Sequence, residues 1–176
     1  MGVTHYDRQE EEQLLRELLL HRPAGLLITG RDHSAATNAL IERSQVPCVH
    51  LMDLAERLEP TQAYGVGFGQ TQAAAELTRW LLHKGYRRIA FAAAQLDARV
   101  LQRMAGWRGA LQEAGFYEAT LEWLNPATSS LAMGALMFEQ IMQQRPAVDA
   151  IFFCNDDLAQ GALLAALRRG IRVPDE

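Results

Sequence analysis

Residues 150–154 (AIFFC) are apolar at every position, and they run directly into Asn155, Asp156 and Asp157 and then into the helical pattern LAQGALLAAL. A strand with one solvated face alternates polar and apolar side chains. A run without alternation suits a central strand covered on both faces by helices. Short polar side chains at 155–157 can accept the free N–H groups of a helix's first turn, with Asp156 the expected cap. The carboxyl end of a strand and the amino end of a helix therefore meet there, and in open α/β sheets that crevice is where ligands sit. The geometry names no ligand.

The same alternation recurs along the chain. Leu14, Leu15, Leu18 and Leu19 share one face, with Glu10, Glu11, Arg16 and Glu17 off it, which predicts a helix over 6–21 stopped by Pro23. Residues 25–29 (GLLIT) read as a strand, Ser34 caps a helix to 43, and a strand over 47–52 ends at Asp53. After a polar stretch over 54–62, a short strand at 64–68 precedes a helix over 70–84 that Gly85 ends. A strand over 88–93, a helix over 98–114 and a strand near 120–124 follow, then a helix over 129–144, the opening strand, and its helix to 169. Strand-helix alternation of this kind predicts an α/β fold of parallel sheets with right-handed crossovers. A helix with no strand before it opens the pattern, and IRVPDE reads as the lead into a strand. The pattern is thus expected to be incomplete at both ends.

With 176 residues, 49% of them hydrophobic, the chain can hold one good core or two small ones. A net charge of −4 argues against a free-standing nucleic-acid binder, which needs a basic face. Cys48 and Cys154 fall inside apolar strands and read as buried thiols of a reducing compartment. The charged start and the lack of a membrane-length apolar run lead to a cytoplasmic expectation. The histidines sit at unrelated spacings without partners in metal-ligand register, so no metal site is expected. No nucleophile elbow or phosphate-cradling loop is present in the sequence, and no cofactor is expected.

Arg99 and Arg103 stand one turn apart near the amino end of a predicted helix, a suitable receptor for a carboxylate or phosphate. The alternative is a solvated basic face, since Arg87 and Arg108 are near in sequence. Asn155 is open to two readings, a partner for a ligand hydroxyl or a helix cap. Asp53 stands where a polyol-binding carboxylate would project, or simply opens the turn before Leu54. The glycines of YGVGFGQ lack the spacing of a dinucleotide fingerprint and suit close backbone passage between two lobes. Trp80, Trp107 and Trp123 are expected in core or interface packing. The rows Leu158, Ala162, Ala165 and Leu131, Ala135, Phe138 are read as core rather than interface.

Together PAGLLITGRDHS, VPCVHLMD, KGYRRIAFAAA, RMAGWRGALQEAGF and DAIFFCNDDLAQGALLAALRRGIRVPDE resemble, in order and spacing, the effector-binding region of the LacI/GalR family of transcriptional regulators. HLMD, VGFG and the LDAR turn further resemble its gluconate-operon repressor branch. The resemblance implies a two-lobed fold of the periplasmic-binding-protein type I, with 1–66 a partial N-terminal lobe and 67–176 a partial C-terminal lobe. It implies a sugar-acid effector held between lobes by Asp53 and Asn155 on hydroxyls and Arg99 on a carboxylate, with Arg103 donating to either. It further implies a homodimer, and operator DNA bound through a helix-turn-helix domain outside this chain. Gly69 and Gln70 depart from the family's Asp-Asn at that position. A periplasmic sugar-binding protein of the same fold and an α/β enzyme are the competing expectations.

Overall fold

The computed structural model describes residues 1–4, 7–54, 64–145 and 147–174. The polar stretch expected over 54–62 lies, beyond Leu54, outside the described residues. The chain divides into two compact units, Met1–Gly69 and Gln70–Glu176. The division falls after Gly69, once the last strand of the first unit has ended at Phe68, opposite Asp53.

The first unit begins with α1 (Arg8–Leu20), whose N-cap Asp7 accepts from the backbone N–H groups of Gln9 and Glu10. Strand β1 (Leu26–Thr29), helix α2 (Ala35–Ser44), β2 (Cys48–Asp53) and β3 (Gly65–Phe68) follow. Ser34 caps α2 by accepting from Thr37 N, as its position in the sequence predicts. The strands are parallel in the order β1-β2-β3. Their alternation sends Leu26, Ile28 and Cys48 toward Leu15 and Leu19 of α1 and Leu40 and Ile41 of α2, which form the unit's core. Side chains of the opposite parity remain open, Leu27 at 74% and Val66 at 67% exposure. Gly67 is needed inside this sheet rather than between lobes: a Cβ there would collide with Met52 and Asp53 of the neighbouring strand, where Met52 holds φ +73°.

The second unit comprises α3 (Gln70–His83), β4 (Ile89–Ala94), α4 (Ala98–Ala114), β5 (Glu122–Asn125), α5 (Leu131–Gln144), β6 (Ala150–Phe153) and α6 (Asp156–Arg168). Its parallel strands are ordered β5-β4-β6. The central strand is therefore β4, every residue of which is fully buried. Among the described residues β6 pairs with β4, and its half-buried side chains meet helices on both faces, as the run without alternation predicts. Phe91 and its register partner Phe152 meet on one face, where Trp107 of α4 stacks 5.5 Å from Phe91. On the other parity Ile151 and Phe153 pack under Phe138 of α5 and Ala162 of α6. A helix layer thus covers each face.

Three glycines, Gly106, Gly134 and Gly161, set how closely these helices approach, Gly134 of α5 lying against Leu158 O of α6. A side chain at Gly106 of α4 would strike Thr71 O of α3, and one at Gly161 of α6 would strike Leu131 O of α5. Strand β5 starts later than the sequence pattern predicts because Ala119–Leu121 form a 3-10 turn that buries Leu121 completely. Trp107 is buried as expected. Trp80 is not, being 53% exposed with the Lys84 ammonium over its ring. Leu158, Ala162, Ala165 and Phe138 are core, whereas Leu131 is exposed.

Candidate ligand-binding site

In the second unit the carboxyl ends of the strands carry hydrogen-bonding side chains. Strand β4 ends at Ala94, and Gln95 turns the chain with φ +53°, its N–H donating to Asn125 O and Ala127 O. Asp97 then caps α4 by accepting from Val100 N at 2.9 Å. This places Arg99 and Arg103 on the first turns of α4, as their spacing predicts. The two guanidiniums have different partners. Arg99 Nη2 lies 3.5 Å from Asp97 Oδ2, both side chains being mostly covered. Arg103 Nε donates to Gln70 Oε1 at 2.7 Å, and its Nη1 donates to Cys154 O at the end of β6.

Asn155 follows Cys154, and it is the N-cap of α6: its Oδ1 accepts from Leu158 N at 3.1 Å and from Ser129 Oγ at 3.0 Å. Asp156 is the first helical residue and is exposed, so the expected cap is corrected by one position. The reason is local: the cap residue needs extended backbone, and the strand's extended conformation persists through Asn155 (φ −153°, ψ 170°) before the helix begins. A backbone N–H can only donate, which fixes Oδ1 toward α6, and Nδ2 donates to Cys154 Sγ at 3.6 Å, a weak acceptor that takes one of its two N–H groups. Cys154 is buried, and that burial raises its thiol pKa, so it remains a neutral filler beneath the site.

Asp53 belongs to the first unit, at the carboxyl end of β2, and is buried. Arg31 Nε donates to its backbone carbonyl at 3.3 Å, and Gly30, at φ +81°, keeps open the space beside Asp53 Oδ2. Behind it lies an imidazole pair. His50 Nδ1 donates to Gly30 O at 3.0 Å, which fixes its tautomer, and its ring lies 5.4 Å from that of His33. His33 Nδ1 in turn reaches both Glu11 oxygens at 3.0 Å. Burial, the largest cause, lowers the His50 pKa.

Arg99, Arg103 and Asn155 thus share one unit and the ends of adjacent strands, and Asp53 stands in the other. Sequence reasoning missed Gln70 and Ser129 as partners of Arg103 and Asn155. Gln70 is separated from Arg103 by the rest of α3, a whole strand and two loops, so no local spacing signals the pair. Ser129 reads as the start of a helix, but Ser130 caps α5 and leaves Ser129 for Asn155.

Parallel sheets layered with helices, polar side chains gathered at their strand ends, define a periplasmic-binding-protein-like α/β architecture. A family model described as "Periplasmic binding proteins and sugar binding domain of LacI family" matches residues 3–176, and the chain belongs to this family. It is 48% identical over 176 residues to the HTH-type transcriptional regulator GntR of Pseudomonas aeruginosa, a match covering 100% of this chain and 50% of that protein. Identity to the GntR regulator of Escherichia coli K12 is 33% over 173 residues, 97% of this chain and 50% of the relative. The crystal structure of transcription regulator GntR from Chromobacterium violaceum superposes with a TM-score of 0.89 at 47% identity, over 99% of this chain and 63% of that one. The resemblance read from the motifs holds. The chain spans about half the length of the curated relatives it matches.

Proposed function

We propose that this chain is the effector-sensing part of a bacterial transcriptional repressor that binds a small sugar acid, of the gluconate or ketogluconate type, between its two lobes to modulate DNA binding. The observation that carries the reading is the donor set at the ends of β4 and β6. Arg103 is fixed at two points, and Asn155 has its oxygen committed to α6 and one amide N–H on the weak acceptor Cys154 Sγ, with its second N–H to offer. Donors of this kind suit a carboxylate and the oxygens of hydroxyl groups. Asp53 of the other unit is an acceptor, suited to hydroxyl donors of the same ligand. Relatives that match along the whole chain and are transcriptional regulators support the regulatory half of the reading.

The mechanism is a population shift. A ligand that binds one arrangement of the lobes better than another favours it by no more than that difference in affinity, and DNA affinity changes with the arrangement. Operator DNA is bound through a helix-turn-helix domain outside this chain, the regulator works as a homodimer in the cytoplasm, and the role is non-catalytic, with no cofactor. Calorimetry of the intact protein with gluconate tests the site. Arg103→Ala is expected to weaken binding by about 10–100-fold, the worth of a hydrogen bond to a charged group. Unchanged affinity rejects the assignment. The family description also covers periplasmic binding proteins. Release of operator DNA by the sugar acid separates the two readings, since a periplasmic binder has no operator to release.

A further inference from the structure

Arg99 and Arg103 look equivalent in sequence, one turn apart on α4, but the side chains that hold them differ in charge. Arg99 lies against the Asp97 carboxylate at 3.5 Å. Arg103 is held by two neutral oxygens, Gln70 Oε1 at 2.7 Å and the backbone carbonyl of Cys154. A carboxylate partner offsets a guanidinium's charge, whereas an amide or peptide oxygen orients it and leaves the charge in place. Arg103 Nη2 has no hydrogen-bond partner among the described residues. Gln70 itself is only 2% exposed, so its amide is confined by packing at the start of α3.

We infer that Gln70 is a positioning residue that aims Arg103, with its charge intact, at the ligand's carboxylate, and that Arg103 rather than Arg99 is the principal anion receptor. The inference rests on the sugar-acid reading above. Gln70 is suited to this role by what it is not. Glutamate has the same length and would keep the hydrogen bond to Nε, but it would pair with the guanidinium and set a negative charge beside the incoming carboxylate. Leucine has a similar volume and would leave Nε unsatisfied and Arg103 tethered at one point only.

The test compares gluconate with its neutral primary amide by titration calorimetry of the intact protein, in wild type, Gln70→Glu and Gln70→Leu. A merely structural role for Gln70 moves both affinities together. A positioning role moves their ratio. Wild type is expected to favour the acid, Gln70→Glu to reduce that preference by about tenfold, and Gln70→Leu to weaken gluconate by about tenfold while changing the amide by less than about threefold. If Gln70→Leu does not fold, Gln70→Glu, which keeps the shape of the buried side chain, decides the matter. An unchanged acid-to-amide ratio in Gln70→Glu, with gluconate still bound by wild type, overturns this inference and leaves the sugar-acid reading standing. Wild-type protein without affinity for gluconate or ketogluconate overturns both.

Discussion

The two units use parallel sheets and the same helix-strand alternation, yet they are built on different interiors. In the second unit the central strand β4 is a row of apolar side chains with zero exposure, and its buried polar residues are the neutral Gln70 and Thr78. In the first unit the apolar core is small, Leu15, Leu26 and Ile41, and the buried polar set includes His33, His50 and Asp53. One face of its sheet, marked by Leu27 and Val66, is open. The difference teaches that a shared parallel architecture, here with strand orders β1-β2-β3 and β5-β4-β6, does not imply identical sources of stability. Packing dominates the second unit, whereas the first buries an imidazole, His50, whose pKa burial lowers.

The largest expected effect follows from the packed unit. Trp107 is fully buried and touches both Phe91 of the central strand and Tyr117, at ring distances of 5.5 and 6.0 Å. Trp107→Ala is expected to cost about 3–5 kcal/mol, the loss of a large buried aromatic together with the cavity it leaves. Denaturant unfolding at constant pH measures it. A cost near 1 kcal/mol would mean that the second unit relaxes around the hole, and the contrast drawn between the interiors would weaken.

A smaller effect concerns the step from β6 into α6. Asn155→Ala removes a cap that accepts from both Leu158 N and Ser129 Oγ, and is expected to cost about 1 kcal/mol. Asp156→Ala, an exposed change in the first turn, is expected to cost about 0.3 kcal/mol through the helix dipole alone. Thermal or denaturant melts of the two variants side by side check the order. The reverse order would restore Asp156 as the cap.

That one-residue displacement illustrates what was legible in the sequence and what was not. Signals that act within a few residues were readable: Ser34 opening α2, Gly85 and Gly115 ending helices with positive φ, and the whole span of α4. The family and the fold class followed, because motif order and alternation are properties of the chain. Choices that depend on distant partners were not readable. An apolar run tells that a strand is covered, not whether β4 or β6 lies between its neighbours. The Arg99 and Arg103 spacing tells that two guanidiniums share a face, not that Asp97 would take one and Gln70 the other. The exposure of Trp80 likewise depends on which helix face α4 leaves open.

The smallest effect, and the one that most directly separates the two interiors, is the pH dependence of the first unit. Burial lowers the pKa of His50 below 6.5, opposed by its hydrogen bond to Gly30 O and by Glu11, and reinforced by Arg31 and His33. The groups around the ring are His33 from the loop after β1, Glu11 of α1, Arg31, and Cys48 on its own strand. Because the folded state holds the imidazole neutral, the unfolded chain takes up the proton first as pH falls. The stability contributed by neutral His50 is therefore complete above pH 6.5 and declines as pH falls through that value toward the lower folded pKa. Unfolding free energies measured from pH 7.5 to 5 should fall more steeply for wild type than for His50→Gln, which keeps a donor for Gly30 O and has no proton to gain. Trp107→Ala, by contrast, should shift the curve down without changing its slope. Parallel curves for wild type and His50→Gln would show that the buried imidazole is not what makes the first unit sensitive to acid.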